Sequence, residues 1–293
     1  LAAALPSDVV VIVWDGRGQA PDRIDEAQFW VPPFGWNVLD ELPGILAAMP
    51  NLEVVQVTSA GYDQFEGRLP PHVRLCNGRG IHGGSTSEWV LAVTLASLRE
   101  IPRFVRAADE QRWDYHSTDE LAGKRVLIIG AGDLGQQTAR RVRAFDAEPV
   151  LVARTARDDI HAMSELPELL PSADVVVLVV PKTEETTGLV DAKFLAQLRD
   201  GALVVNAARG PVVDTGALLT ELQSGRLHAA LDVTDPEPLP VDHPLWSAPN
   251  LVITPHVGGS VFGYATRARR LVADQIARFA SGEELINVVI AGD

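Results

Sequence analysis

Cysteine is nearly absent. The 293 residues contain one, Cys76, which excludes an internal disulfide and points to a reducing compartment. Positive charge is also scarce: 25 Lys and Arg face 39 Asp and Glu, a formal net charge of −14. That balance repels a phosphate backbone and argues against sequence-blind nucleic-acid binding. Long hydrophobic runs are missing. The longest, such as Val175–Val180, are strand-sized and far short of a membrane span. Leu1–Leu5 lacks the basic start and long apolar core of a signal peptide. There is no low-complexity stretch and no repeat of solenoid period. Of the seven histidines, His72, His82, His116, His161, His228 and His243 fit no zinc spacing, so no metal is expected. Hydrophobic residues at 46% and charged residues at 22% exclude wholesale disorder. The expectation is a soluble cytoplasmic protein of about two domains, with neither nucleic acid nor membrane as partner.

What is present is an alternation of short β-branched runs with helix-like segments, the pattern of a parallel sheet covered by helices. Early runs are Val9–Trp14, Gln28–Val31, Leu52–Thr58 and Val73–Cys76. Val38–Met49 reads as a helix strained by Pro43 and Gly44. The second half gives strands at Arg125–Ile129, Val150–Ala153, Val175–Val180, Ala202–Asn206, Ala229–Val233 and Val252–Thr254, six runs that match a doubly wound sheet. Ser85 and Glu88 have capping-box spacing before the apolar run Trp89–Leu98, which predicts a long helix starting there. Leu271, Val272, Ile276 and Phe279 sit at helical spacing, and Ser281-Gly282 reads as the stop. This last helix follows the six-strand unit and is expected to pack back onto the first domain. The predicted fold is α/β: a Rossmann cofactor domain (86–262) inserted in a flavodoxin-like substrate domain made of 1–85 and 263–293.

Gly130-Ala131-Gly132-Asp133-Leu134-Gly135 is a G-x-G-x-x-G. The pattern alone is weak, but a strand runs into it and an amphipathic helix follows. Gly130 permits the tight turn, Gly132 lets backbone N–H groups approach a pyrophosphate, and Gly135 lets helix and strand pack closely. The helix start offers unpaired N–H groups and partial positive charge. Arg154 ends the next strand, where an NAD protein would carry a carboxylate for the ribose. With Thr155 and Arg157 beside it, Arg154 suits a 2′-phosphate, so NADP(H) is expected over NAD(H). A solvated strand-end arginine is the alternative reading.

Three further segments close strands in the second half: NAARG at Asn206–Gly210, LDVTDPEP at Leu231–Pro238 and TPHVGG at Thr254–Gly259. Ligands of open α/β sheets bind at the carboxyl ends of strands, so these segments face one crevice. They offer an arginine, carboxylates and a histidine. Those types suit hydride transfer to a 2-oxo acid, as a fork for the carboxylate, a proton donor and a partner for the donor.

In these residues, together with VPKTEETTGLV at Val180–Val190 and NAARGPVVD at Asn206–Asp214, nearly the whole chain resembles the D-isomer-specific 2-hydroxyacid dehydrogenases. LDVTDPEPLPVDHPLW at Leu231–Trp246 is most similar to glyoxylate/hydroxypyruvate reductases. The resemblance implies that Arg209 binds the substrate carboxylate, that His256 is the general acid in reduction, and that Glu237 pairs with His256. It implies that Asp232 holds the nicotinamide carboxamide. It places Ala60-Gly61 in a loop whose N–H groups take the other carboxylate oxygen, and Pro181 and Thr183 along the cofactor. It also implies a homodimer and a small 2-oxo or D-2-hydroxy acid substrate. A corepressor-like, dinucleotide-sensing scaffold is the competing role for the same fold.

Some residues depart from the pattern. Ser87 stands where alanine is usual, and the loop Asn77–Gly84 carries Arg79 and His82 without an assigned role. No regulatory domain is expected after Asn287-Val288-Val289, and Phe29–Phe34 is apolar where phosphoglycerate dehydrogenases tend to place a basic residue; both are read as speaking against that activity. Asp214 reads as a helix cap. Trp30, Phe34 and Trp36 read either as pocket walls or as packing. Trp113 reads as a dimer contact or as a cover for a neighbouring pocket.

Overall fold

The computed structural model describes residues 5–14, 17–34 and 40–292. Trp36, Val38 and most of Leu1–Leu5 lie outside these. The chain forms two compact units, Leu1–His82 with Phe262–Asp293, and Gly83–Val261. The crossings thus fall at 82/83 and 261/262, where the sequence suggested 85/86 and 262/263.

The first unit holds a four-stranded sheet in the order β1 (Phe29–Trp30), β2 (Val54–Gln56), β3 (Arg74–Cys76), β11 (Val288–Ile290). The first three are parallel, and β11 returns antiparallel along β3. Helix α1 (Leu42–Ala48) starts later than expected, with Pro43 in its first turn, where a missing N–H costs nothing. Helix α8 (Tyr264–Ser281) ends at Gly282 in the left-handed conformation, φ 73°. It lies in this unit, and Gln275 bonds Gln56 at 2.7 Å in its core. The expected strand Val9–Trp14 does not form. Val10, Val11 and Val13 are exposed and the run has no ladder partner among the described residues. An apolar run without a neighbour to pair with gains nothing from being extended.

The second unit is a seven-stranded, wholly parallel sheet. Its strands are β4 (Arg125–Ile129), β5 (Glu148–Ala153), β6 (Ile160–Ala162), β7 (Val175–Leu178), β8 (Leu203–Asn206), β9 (His228–Leu231) and β10 (Leu251–Ile253). Their spatial order is β10-β9-β8-β7-β4-β5-β6. Central strands are buried on both faces: Leu127 and Ile129 of β4 join one core cluster, Val126 and Ile128 the other. That two-sided burial is why these strands read as unbroken apolar runs. The edge strand β6, half-buried throughout, had no such signal and was not expected.

Helix α2 (Gly83–Leu98) begins two residues before the capping box that the sequence suggested. Ser85, Thr86 and Ser87 are buried inside it, and the Ser87 hydroxyl donates back to the Gly84 carbonyl at 2.8 Å. Its first residue lies against α4 (Asp133–Arg143): a Cβ on Gly83 would overlap the Asp133 carboxylate at the head of that helix. Helices α3 (Ile101–Asp109), α5 (Leu166–Leu169), α6 (Ala192–Ala196) and α7 (Thr215–Gln223) complete the layers. Asp214 caps α7 as expected, accepting from the Ala217 N–H at 2.9 Å. Among the described residues no helix is long and apolar enough to cross a membrane, and no cluster of His, Cys, Asp or Glu could hold a metal ion.

Candidate active site

Register places the candidate residues on one edge of the second unit's sheet. Val152, Ile129, Leu178, Asn206, Leu231 and Ile253 form a continuous row of partners across six strands. Gly130, Arg154, Pro181, Arg209, Asp232, Glu237 and His256 each follow that row within six residues on their own strand exits. Parallel strands in this register must deliver their following loops to the same edge.

The glycine loop is built for close approach. Gly130 has φ 117°, and a Cβ there would stand 2.5 Å from the Val179 carbonyl. A Cβ on Gly135 would overlap the Gly130 carbonyl. At Gly132, which caps α4, a Cβ would meet nothing within 4 Å, so the chain leaves open space beside the helix start at this position. Asp133 and Leu134 open the helix, and Arg140, Arg141 and Arg143 close it. An open N-terminus with oriented donors fits a pyrophosphate.

Arg154 and Thr155 follow β5 and are exposed. Arg154 Nε lies 3.2 Å from the Glu185 carboxylate, a partner that neither strand pattern nor motif spacing suggests. Glu185 belongs to the turn after β7. There the Thr186 hydroxyl donates to the Pro181 carbonyl at 2.6 Å and accepts from the Thr183 N–H at 2.8 Å. Pro181 and Thr183 are therefore held in one rigid turn.

Arg209 sits on a turn organised by Asn206, whose side chain donates to the Arg209 carbonyl and accepts from the Ala208 N–H, both at 3.0 Å. Arg209 Nη1 donates to the Ala208 carbonyl at 2.8 Å. A Cβ on Gly210 would overlap the Thr234 carbonyl, so only glycine lets the exits of β8 and β9 meet. Sequence reasoning missed Asn206, although its place at the head of NAARG was a signal.

His256 Nδ1 lies 2.6 Å from Glu237 Oε1, both side chains partly open to solvent. A bond at Nδ1 leaves Nε2 as the imidazole's outward proton position. Asp232 is buried, and its carboxylate is already engaged. Oδ1 accepts from the Thr254 hydroxyl at 2.5 Å and the Val257 N–H at 2.9 Å; Oδ2 accepts from the Gly258 N–H at 2.8 Å. Each carboxylate oxygen offers two acceptor directions, so Oδ2 keeps one.

Ala60 and Gly61 lie in the first unit. The Ser59 hydroxyl donates to the Gly61 carbonyl at 2.6 Å and Asn77 Nδ2 to the Ala60 carbonyl at 2.9 Å. The unassigned loop residues belong to the same unit. Arg79 is bonded through its backbone to Asn77 and Asn287. His82 Nε2 is 2.9 Å from the Thr58 carbonyl, and its ring stacks on Tyr264, which in turn packs on Phe34. Burial raises the Tyr264 phenol's pKa, against a hydrogen bond with Thr58. Trp30 is core, packed edge-on against Phe65. Trp113 is 94% exposed.

A parallel sheet of this order, with a glycine loop between β4 and α4, defines a Rossmann-type dinucleotide-binding domain. Residues 91–258 match the profile of the D-isomer specific 2-hydroxyacid dehydrogenase NAD binding domain. The chain is 36% identical over 259 residues to a D-3-phosphoglycerate dehydrogenase of Mycobacterium tuberculosis, matching over 85% of its own length and 49% of the relative. It thus spans about half the length of such curated relatives. A D-isomer specific 2-hydroxyacid dehydrogenase from Xanthobacter autotrophicus, solved with NADPH and MES, superposes with a TM-score of 0.83 at 34% identity, covering 98% of this chain and 92% of that one. An NADPH-dependent glyoxylate/hydroxypyruvate reductase from Sinorhizobium meliloti, solved with NADP and sulfate, gives 0.79 at 30% identity, covering 91% and 86%. The chain belongs to the D-isomer-specific 2-hydroxyacid dehydrogenase family.

Proposed function

We propose that the protein reduces a small 2-oxo acid, such as glyoxylate or hydroxypyruvate, to the D-2-hydroxy acid, using a nicotinamide dinucleotide with NADP(H) preferred. The observation that carries this reading is the 2.6 Å pair of His256 and Glu237 on the same sheet edge as Arg209 and the glycine loop. When bound, the dinucleotide supplies the hydride. Arg209 offers a fork of charged donors for the substrate carboxylate and polarises the adjacent carbonyl. His256 Nε2 donates a proton to the alkoxide as it forms, and Glu237 holds the ring in orientation and balances its charge. The open N-terminus of α4 suits the pyrophosphate, and Arg154 with Thr155 suits a ribose 2′-phosphate. We also propose a cytoplasmic homodimer, on the family resemblance.

Steady-state rates with NADH and NADPH against glyoxylate, hydroxypyruvate, pyruvate and 3-phosphohydroxypyruvate test the reading directly. Turnover of the first two with NADPH is expected. A preference for the phosphorylated substrate would move the assignment to phosphoglycerate dehydrogenase activity. His256→Ala is expected to lower kcat at least about 100-fold while leaving dinucleotide affinity intact; a near wild-type rate in that variant would remove His256 from the chemistry.

A further inference from the structure

His256 has a left-handed backbone, φ 54°. For a residue with a Cβ that conformation is unfavourable, so its surroundings must hold it. The backbone supplies part of the hold: the His256 N–H lies 2.8 Å from the Asp232 carbonyl and 3.0 Å from that of Thr254. The side chain of Asp232 supplies more. A left-handed residue turns the following N–H groups towards one point, forming a concavity that binds anions. Here those are the N–H groups of Val257 and Gly258, and the anion between them is the Asp232 carboxylate, at 2.9 and 2.8 Å. The Thr254 hydroxyl closes the grip from the other side of His256 at 2.5 Å. Position 258 has no slack, since a Cβ on Gly258 would stand 2.9 Å from Asp232 Oδ2 and 3.3 Å from Thr86 Cγ2.

We propose that Asp232 is a positioning residue for His256. Its buried carboxylate fills the anion-binding turn of the Thr254–Gly258 loop and thereby fixes the direction in which the imidazole points. This role is separate from the carboxamide contact that the family resemblance implies, for which Oδ2 keeps a free acceptor direction. It rests on the reading of His256 as proton donor, but the grip itself is a property of the ligand-free protein. Charge matters because three donors converge on one group: an amide in its place has one acceptor oxygen and would aim N–H groups at the Gly258 N–H. The imidazole would stay paired with Glu237 while losing its aim.

Two substitutions test this, Asp232→Asn and Thr254→Val, each read twice. In the ligand-free protein, amide hydrogen exchange at Val257 and Gly258 is expected to accelerate at least about tenfold in Asp232→Asn and less in Thr254→Val, with the rest of the sheet protected. In turnover, kcat is expected to fall about 10- to 100-fold in Asp232→Asn and several-fold in Thr254→Val, with KM for the 2-oxo acid nearly unchanged and the shape of the pH–kcat profile retained. Should Asp232→Asn not fold, Thr254→Val carries both readouts. Wild-type exchange at both amides, or wild-type kcat despite faster exchange, overturns the proposal. So does a loss confined to KM for the dinucleotide. If His256→Ala keeps full activity, the acid assignment fails on its own, and the exchange experiment still decides whether Asp232 holds the loop.

Discussion

At Arg154 two opposed charges meet. Its guanidinium can make charge-assisted bonds to a phosphate but cannot accept from a ribose hydroxyl. Glu185, 3.2 Å away, competes for the same donors. Both side chains are about 70% exposed, so the pair is weak and a doubly charged phosphate should displace it. One charge-assisted contact is then expected to favour NADPH over NADH by at least about tenfold in kcat/KM. Arg154→Ala is expected to erase most of that preference with little change in the NADH rate. Glu185→Gln should strengthen NADPH use a few-fold by removing the competitor. Steady-state kinetics with both cofactors checks each expectation. Equal use of the two by wild type would make Arg154 a solvated strand-end residue.

Among the elements, the β4–α4 junction has the least tolerance. A methyl group at Gly135 would overlap the Gly130 carbonyl, so strand and helix would have to part. Gly135→Ala is therefore expected to lower Tm and abolish NADPH binding together, as read by thermal unfolding and titration calorimetry. Strand β9 carries a different signature. His228, at its start, is held below the ordinary histidine value of about 6.5 by burial, partly opposed by Glu100. The folded state thus binds a proton less readily than the unfolded chain. The stability that depends on His228 is complete above about pH 6.5 and falls as pH drops from there towards the lower folded value. His228→Gln should flatten that part of the acid limb. Denaturant melts between pH 5 and 7.5 give the slope; an unchanged slope would mean that His228 does not contribute.

For the whole molecule, the chain path decides which parts can stand alone. The second unit is one continuous segment, 83–261, and the core clusters on both faces of its sheet are drawn from within it. Expressed alone, this segment is expected to fold cooperatively and bind NADPH while failing to turn over substrate. Circular dichroism and calorimetry check both points. The first unit needs both chain ends. Strand β11 pairs with β3, and Gln275 bonds Gln56 and the Ile286 carbonyl within it. Deleting 262–293 is expected to expose the edge of β3 and strand the buried Gln56 amide, which limited proteolysis of the 1–82 region would report.

The motifs that shape the site were legible because glycine at fixed spacing marks a close backbone approach, whichever segment supplies the neighbouring backbone. Gly130, Gly135 and Gly210 are glycines because backbone lies where a Cβ would be. The buried strands of the second unit were legible because burial on two faces demands unbroken apolar runs. Other features carry no such mark. Val9–Trp14 reads as a strand by composition, but a strand exists only with a partner, which neighbours in sequence cannot supply. Helix α2 starts at Gly83, where it lies against the head of α4, two residues before the serines that resemble a cap. The grip of Asp232 on the His256 loop joins residues 22 to 26 positions apart, and the Arg154–Glu185 pair spans two strand exits. Residue types fixed which groups were present. The parallel register that brings six strand exits to one edge decided which of them meet, because hydrogen-bonded strands hold their following loops side by side whatever their separation in the chain.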